Sequence, residues 1–194
     1  MFAQRPALCV YCGSRFGARR AYVDAAIELG QRVGRQGWSL VYGGGNVGLM
    51  GEVANAALAA GAPVLGVIPD SLMRREVGHP GLTEIRVVQT MHERKQAMAE
   101  AADAFVALPG GIGTFEELFE VWSWQHLGYH RKPVALLDVE DYYAPLLAFL
   151  RQTETEGFVS AEQAAGLLVH RSVDALVHAL AGIGRQPSGD FSRI

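Results

Sequence analysis

The sequence predicts an α/β protein: one doubly wound, mostly parallel sheet of about seven strands with helices on both faces. Three observations lead there. Short apolar runs alternate with longer helix-patterned segments along the 194 residues. The runs are almost continuously apolar, as strands covered on both faces are. Glycine-bearing turns follow three of them, at the points where a strand hands over to a helix.

In chain order the expected strands are 7–11 (ALCVY), 39–42 (SLVY), 64–68 (VLGVI), 85–88 (IRVV), 104–108 (AFVAL), 133–138 (PVALLD) and 166–169. Helices are expected over 19–36, 47–60, 91–102, 114–127, 141–156 and 172–182. Pro145 falls in the first turn of the fifth helix, where its missing N–H costs nothing. Right-handed crossovers join such elements into one sheet. Residues 1–183 are expected to form a single domain. Residues 184–194 (GRQPSGDFSRI), polar and broken by Gly and Pro, read as a flexible tail.

Composition narrows the function. Apolar residues make up 49% and charged residues 19%, ample for a packed core. The formal charge of −3 argues against a nucleic-acid or membrane-surface binder, which needs a basic field. The first residues lack the apolar run of a signal peptide, and no run approaches the roughly 20 residues of a spanning helix. A soluble, cytoplasmic protein is expected. Cys9 and Cys12 form a CxxC, but Cys9 lies within a strand. Residues three apart there face opposite ways, so two reduced core thiols are expected.

In a doubly wound sheet, ligands bind outside the carboxyl ends of the strands. The three glycine turns, Cys12-Gly13-Ser14, Gly43 to Gly48 and Gly110 to Thr114, all fall there. Unpaired amides at a helix start suit a phosphate. Gly43-x-Gly45-x-x-Gly48 also matches a dinucleotide fingerprint in form, with Asp70 downstream, but it follows the second strand instead of the first. No GxxxxGK[ST] is present, so a triphosphate loop is not expected. The favoured ligand is one nucleotide 5′-phosphate, with Ser14, Gly44 and Gly45 as candidate loop contacts.

Two groups of side chains sit near these turns. Thr114-Phe115-Glu116-Glu117 fits a capping box, with Thr114 as N-cap and Glu117 at the third position. A carboxylate there would equally face a developing positive charge on a sugar, and spacing alone leaves both roles open. Glu116 and Glu120, four apart, read as a solvated face. Met91-His92-Glu93-Arg94-Lys95 opens another helix, and its two adjacent cations point about 100° apart. One can reach a ligand while the other serves a neighbour. His126 and His130 have metal-ligand spacing, but Gly128 interrupts the helix and no metal is expected. Leu118, Phe119, Trp122 and Trp124 make their helix apolar on more than one side, which suits deep burial or a homodimer.

Together "YCGS" (11–14), "VYGGGNVGLMG" (41–51), "MHERK" (91–95) and "PGGIGTFEE" (109–117) resemble the Lonely Guy (LOG) family, over roughly residues 7–180. Its members are cytokinin riboside 5′-monophosphate phosphoribohydrolases, often labelled lysine decarboxylases. The resemblance implies a Rossmann-like, dimeric fold without metal or organic cofactor. It also implies hydrolysis of the N-glycosidic bond in a purine nucleoside 5′-monophosphate. Arg94 and Glu117 match its catalytic positions. Glu76, Arg94, Lys95, Gly111, Ile112, Gly113, Thr114, Phe115, Glu116, Glu117 and Ser123 match its substrate-binding positions. Arg15 departs from the Ser common in relatives. A general AMP nucleosidase and a non-catalytic nucleotide or cofactor carrier are the alternatives. Decarboxylation through pyridoxal phosphate would need a reachable Lys, and only Lys95 and Lys132 exist.

Overall fold

The computed structural model describes residues 5–76, 78–184 and 189–191. Strand β1 (Ala7–Tyr11) is buried at every position and lies at the middle of the sheet, where an all-apolar strand is covered on both faces. The other strands are β2 (Ser39–Tyr42), β3 (Val64–Pro69), β4 (Glu84–Val88), β5 (Ala104–Ala107), β6 (Val134–Leu137) and β7 (Leu167–His170). They run in the order β4-β3-β2-β1-β5-β6-β7, every pair parallel. The chain therefore reverses its direction of travel across the sheet between β1 and β5.

Helices α1 (Arg20–Arg35), α2 (Gly48–Ala59) and α8 (Val173–Leu180) cover one face. The other is covered by α4 (Met91–Ala101), α5 (Ile112–His126) and α6 (Ala144–Thr155). Each face has its own core. Leu8, Val10 and Cys12 belong to the first, while Ala7, Cys9 and Tyr11 belong to the second. Cys9 and Cys12 are thus buried on opposite sides and unpaired, and burial pushes both thiols up. They are core residues.

All seven expected strands form. Two short helices escape the sequence pattern, α3 (Asp70–Glu76) and α7 (Ala161–Ala165). The edge strand β4 is exposed at its first four residues and carries the Glu84–Arg86 pair at 3.3 Å. Such charges keep an edge from pairing with other chains. The helix expected at 141 begins at Ala144, with Pro145 in its first turn. Before it runs a 3-10 turn, Val139–Asp141, in which Glu140 and Asp141 take positive φ of 53° and 55°.

Within the segment expected to be a flexible tail, residues 189–191 pack against the domain. Phe191 is buried beside Trp124 and His130, and Lys132 places its ammonium 5.2 Å from the ring centre. Asp190 donates its backbone N–H to the Tyr129 carbonyl at 3.0 Å. One aromatic side chain outweighs the polar composition around it. The rest of that expectation, at 185–188 and 192–194, lies outside the described residues.

Candidate active site

The carboxyl ends of β1, β2, β3 and β5 gather the three glycine turns. The turn after β5 leads into α5, which starts at Ile112 with Gly111 as its N-cap and no side chain capping it. Thr114 and Glu117 therefore do not form the expected capping box. The helix begins two residues earlier, and Thr114 is buried inside its first turn. Gly110 explains the packing: a Cβ there would lie 2.1 Å from the Thr114 hydroxyl. Gly111, Ile112 and Gly113 are exposed, and open space surrounds the two glycines. The first amides of α5 are left for a ligand.

Glu117 lies one turn further on, partly open to solvent. Its carboxyl accepts no hydrogen bond and joins no ion pair among the described residues. Burial pushes its pKa up to about 7, against the opposing pull of the Arg94 guanidinium. Glu116 and Glu120 push the same way as burial, and Lys95 opposes. Relieved of the capping role, this acid has no hydrogen-bond partner among the described residues.

Arg94 comes from α4, whose start is fixed by Thr90 accepting from the Glu93 N–H at 3.1 Å. Its side chain is buried at the rim of the sheet. Nε donates to the Val67 carbonyl at 3.2 Å and Nη2 to the Gly43 carbonyl at 3.1 Å. Gly43 has to be glycine for this, because a Cβ there would sit 2.0 Å from Nη2. Of the five guanidinium N–H groups, a third faces the Met91 sulfur at 3.8 Å. Two are left without a partner among the described residues.

Lys95 turns the other way, as its position on the helix predicts. It bonds Glu116 at 2.5 Å and Glu120 at 2.8 Å, clamping α4 to α5. Glu120 is thus drawn off the expected solvated face, while Glu116 stays exposed. Burial alone would lower the Lys95 pKa, but its bonds to Glu116 and Glu120 outweigh that and raise it.

The remaining candidates divide. Ser14 is exposed on the β1 turn. Gly44 and Gly45 are buried and engaged locally: the Gly44 carbonyl accepts from His79 N–H at 3.2 Å, and Gly45 bridges Gly78. Phe115 is half-buried and meets Tyr143 edge-on. Ser123 is exposed on α5, about 9 Å along the axis from Glu117. One chain does not bring the two together. Glu76 ends α3, and its side chain lies outside the described residues. Leu118, Trp122 and Trp124 are buried within the subunit, leaving Phe119 partly exposed.

Sequence reasoning missed two tyrosines. Tyr142 Oη donates to the Gly110 carbonyl at 2.5 Å, and Tyr143 Oη to the Leu108 carbonyl at 2.6 Å. No local pattern foretold them, since they come from the far side of β6. A cavity of about 490 Å³ opens beside this turn, walled by Ser14, Phe16, Tyr22, Leu49, Ile112 and Tyr142.

His130 Nδ1 accepts from the Lys132 N–H at 3.1 Å, so Nε2–H donates to the Val121 carbonyl at 2.9 Å. Burial lowers its pKa to about 4. His126 contacts Gln163. Among the described residues no three His, Cys, Asp or Glu side chains gather as a metal site, and no helix is long and apolar enough to cross a membrane. The Lys132 ammonium is buried and bonds the Ala99 carbonyl at 2.7 Å.

Fold and rim define a doubly wound α/β protein whose reversal point, where such sheets bind ligands, lies between β1 and β5. Solved structures share that architecture. The molybdenum cofactor binding protein of Rippkaea orientalis superposes with a TM-score of 0.71 at 22% identity, covering 93% of this chain and 98% of that one. The molybdenum cofactor carrier protein of Chlamydomonas reinhardtii gives the same values. At that identity the likeness concerns the fold.

Sequence relatives go further. Residues 50–180 match the family model described as "Possible lysine decarboxylase". The rice cytokinin riboside 5′-monophosphate phosphoribohydrolase LOG is 52% identical over 84% of this chain and 66% of its own length. The enzyme of that name from Rhodococcoides fascians is 46% identical over 88% of this chain and 87% of its own. Arabidopsis LOG7 is 52% identical over 79% of this chain and 70% of its own. The chain belongs to the Lonely Guy (LOG) family.

Proposed function

We propose that this protein is a phosphoribohydrolase that cleaves the N-glycosidic bond of a cytokinin riboside 5′-monophosphate, an N6-substituted AMP. The products are the free base and ribose 5-phosphate. The observation that carries the reading is Glu117: a half-buried carboxylate without a hydrogen-bond partner among the described residues, one turn below an uncapped helix start and within the field of Arg94.

The phosphate would rest on the amides of residues 111–114 and fix the sugar relative to that acid. As the C1′–N bond breaks, its electron pair leaves with the purine, which takes up a proton. Positive charge spreads over the ribose ring, and ionised Glu117 stabilises it. A water oxygen then bonds to C1′. An acid with pKa about 7 is also matched to taking the water's proton near neutrality. Arg94, already anchored on two carbonyls, directs its remaining N–H groups to the substrate.

A homodimer in the cytoplasm completes the proposal. Ser123 and Phe119, exposed on α5, would then meet the second subunit. Two unpaired thiols suit a reducing compartment.

The decisive experiment incubates the protein with AMP and with a prenylated AMP and separates the products by chromatography. Free prenylated base, formed faster than adenine, is the expected result. Equal rates make the enzyme a general nucleosidase. Binding without base release makes it a carrier. A monomeric mass in solution removes the dimer.

A further inference from the structure

We infer that Tyr142 and Tyr143 are positioning residues that aim the phosphate cradle. The inference rests on the reading that a substrate phosphate occupies residues 111–114. At the exit of β5, three successive carbonyls are tied down. Leu108 accepts from Tyr143 Oη at 2.6 Å, Pro109 from the Gly13 N–H at 3.1 Å and Gly110 from Tyr142 Oη at 2.5 Å. Peptide planes pinned by their carbonyls fix the direction of the amides that follow. The Gly110 plane carries the Gly111 N–H, the first amide entering α5, which no side chain caps. The Leu108 plane leads into Pro109, which has no N–H, so Tyr143 acts by steadying the turn behind it. The tyrosines thus hold the turn ahead of α5, and Tyr142 also walls the cavity beside it.

The delivery of the two hydroxyls is itself informative. Just ahead of them, Glu140 and Asp141 adopt positive φ, a conformation that residues other than glycine rarely take. Such strain persists only where surroundings over-determine it, and it collects at functional sites. Here Arg19 Nη1 donates to the Glu140 carbonyl at 2.9 Å, and Arg171 pairs with Asp141 at 2.9 Å. Asp138 accepts from the Tyr143 N–H at 2.7 Å. The two rings then meet edge to face, 4.9 Å apart, and Tyr142 packs in the same manner on Tyr22. A strained turn, held at both ends, serves to present two adjacent hydroxyls to one loop.

The test uses the whole protein with Tyr142→Phe and Tyr143→Phe, which keep the rings and remove the donors. Inorganic phosphate is the probe, as a competitive inhibitor of base release. Each variant is expected to raise both KM and the inhibition constant for phosphate about fivefold, roughly the worth of one net hydrogen bond. Turnover at saturation should stay within about twofold, because Glu117 and Arg94 are untouched. A purely structural role would lower the melting temperature and leave both constants alone. Variants with wild-type KM and phosphate inhibition overturn the inference while the cradle stands. A wild-type enzyme insensitive to phosphate removes the cradle, and the inference with it.

Discussion

At the scale of single residues, Glu117 makes an unusual prediction because its catalytic and structural roles pull in opposite directions. Its pKa rises from an ordinary 4.5 to about 7 on folding, chiefly by burial. Between those values the folded chain holds a proton that the unfolded chain has lost. Wild-type stability therefore falls as pH rises from about 4.5 to about 7. Glu117→Gln removes that cost. The variant should match wild type at pH 4 and exceed it by about 1–2 kcal/mol at pH 8 in denaturant melts, while base release drops at least 10²-fold. A mere capping residue would show little change in either, because Gln serves a capping box as Glu does. The same pKa sets the wild-type pH profile: kcat/KM should decline as pH falls below about 7, where Glu117 becomes neutral. Gly43→Ala tests the partner. Its new methyl collides with the end of a flexible side chain, so the fold should survive with a near-normal melt. The displaced Arg94 should cost about 10²-fold in rate. From sequence, Gly43 read as part of a phosphate loop. Its use is to make room for a guanidinium 51 positions away, which no local pattern reveals.

At the scale of elements, α4 and α5 act as a pair. Lys95 is their clasp, and Glu120 already has one buried oxygen without a partner. Lys95→Met should therefore destabilise the protein by about 1–3 kcal/mol, since it strands a carboxylate at the helix interface. Glu116→Gln, at the more exposed bond, should cost under about 1 kcal/mol. Urea melts of the two variants would show the order. The long elements were legible because each shows its period several times over. Helices α3 and α7, of 7 and 5 residues, are too short to do so. The two-residue error at the start of α5 has a physical origin. Thr-x-x-Glu is a good local cap, but tertiary packing against Gly110 seats Thr114 inside the helix instead. The Tyr142–Tyr143 clamp was illegible because its partners lie 32 and 35 residues away.

At the scale of the molecule, the doubly wound parallel sheet followed from the alternation of elements, while the order of its strands came only with the structure. So did the docking of Phe191, because a single aromatic in a polar stretch gives no period to read. Phe191→Ala should cost about 3 kcal/mol, as removal of a buried aromatic ring does, and its loss should be visible as a lower melting temperature. It also uncovers Lys132 and His130, so the loss should exceed that of an exposed aromatic such as Phe158.

The central place of β1 has a further consequence for how the chain is made. Its partner β2 follows closely, but its other neighbour, β5, is 96 residues downstream, with Leu8 beside Ala104. While a ribosome is still producing the middle of the protein, β1 is a bare, greasy margin with unsatisfied amides. Nascent chains paused before β5 emerges are the ones that should cling to chaperones or to each other.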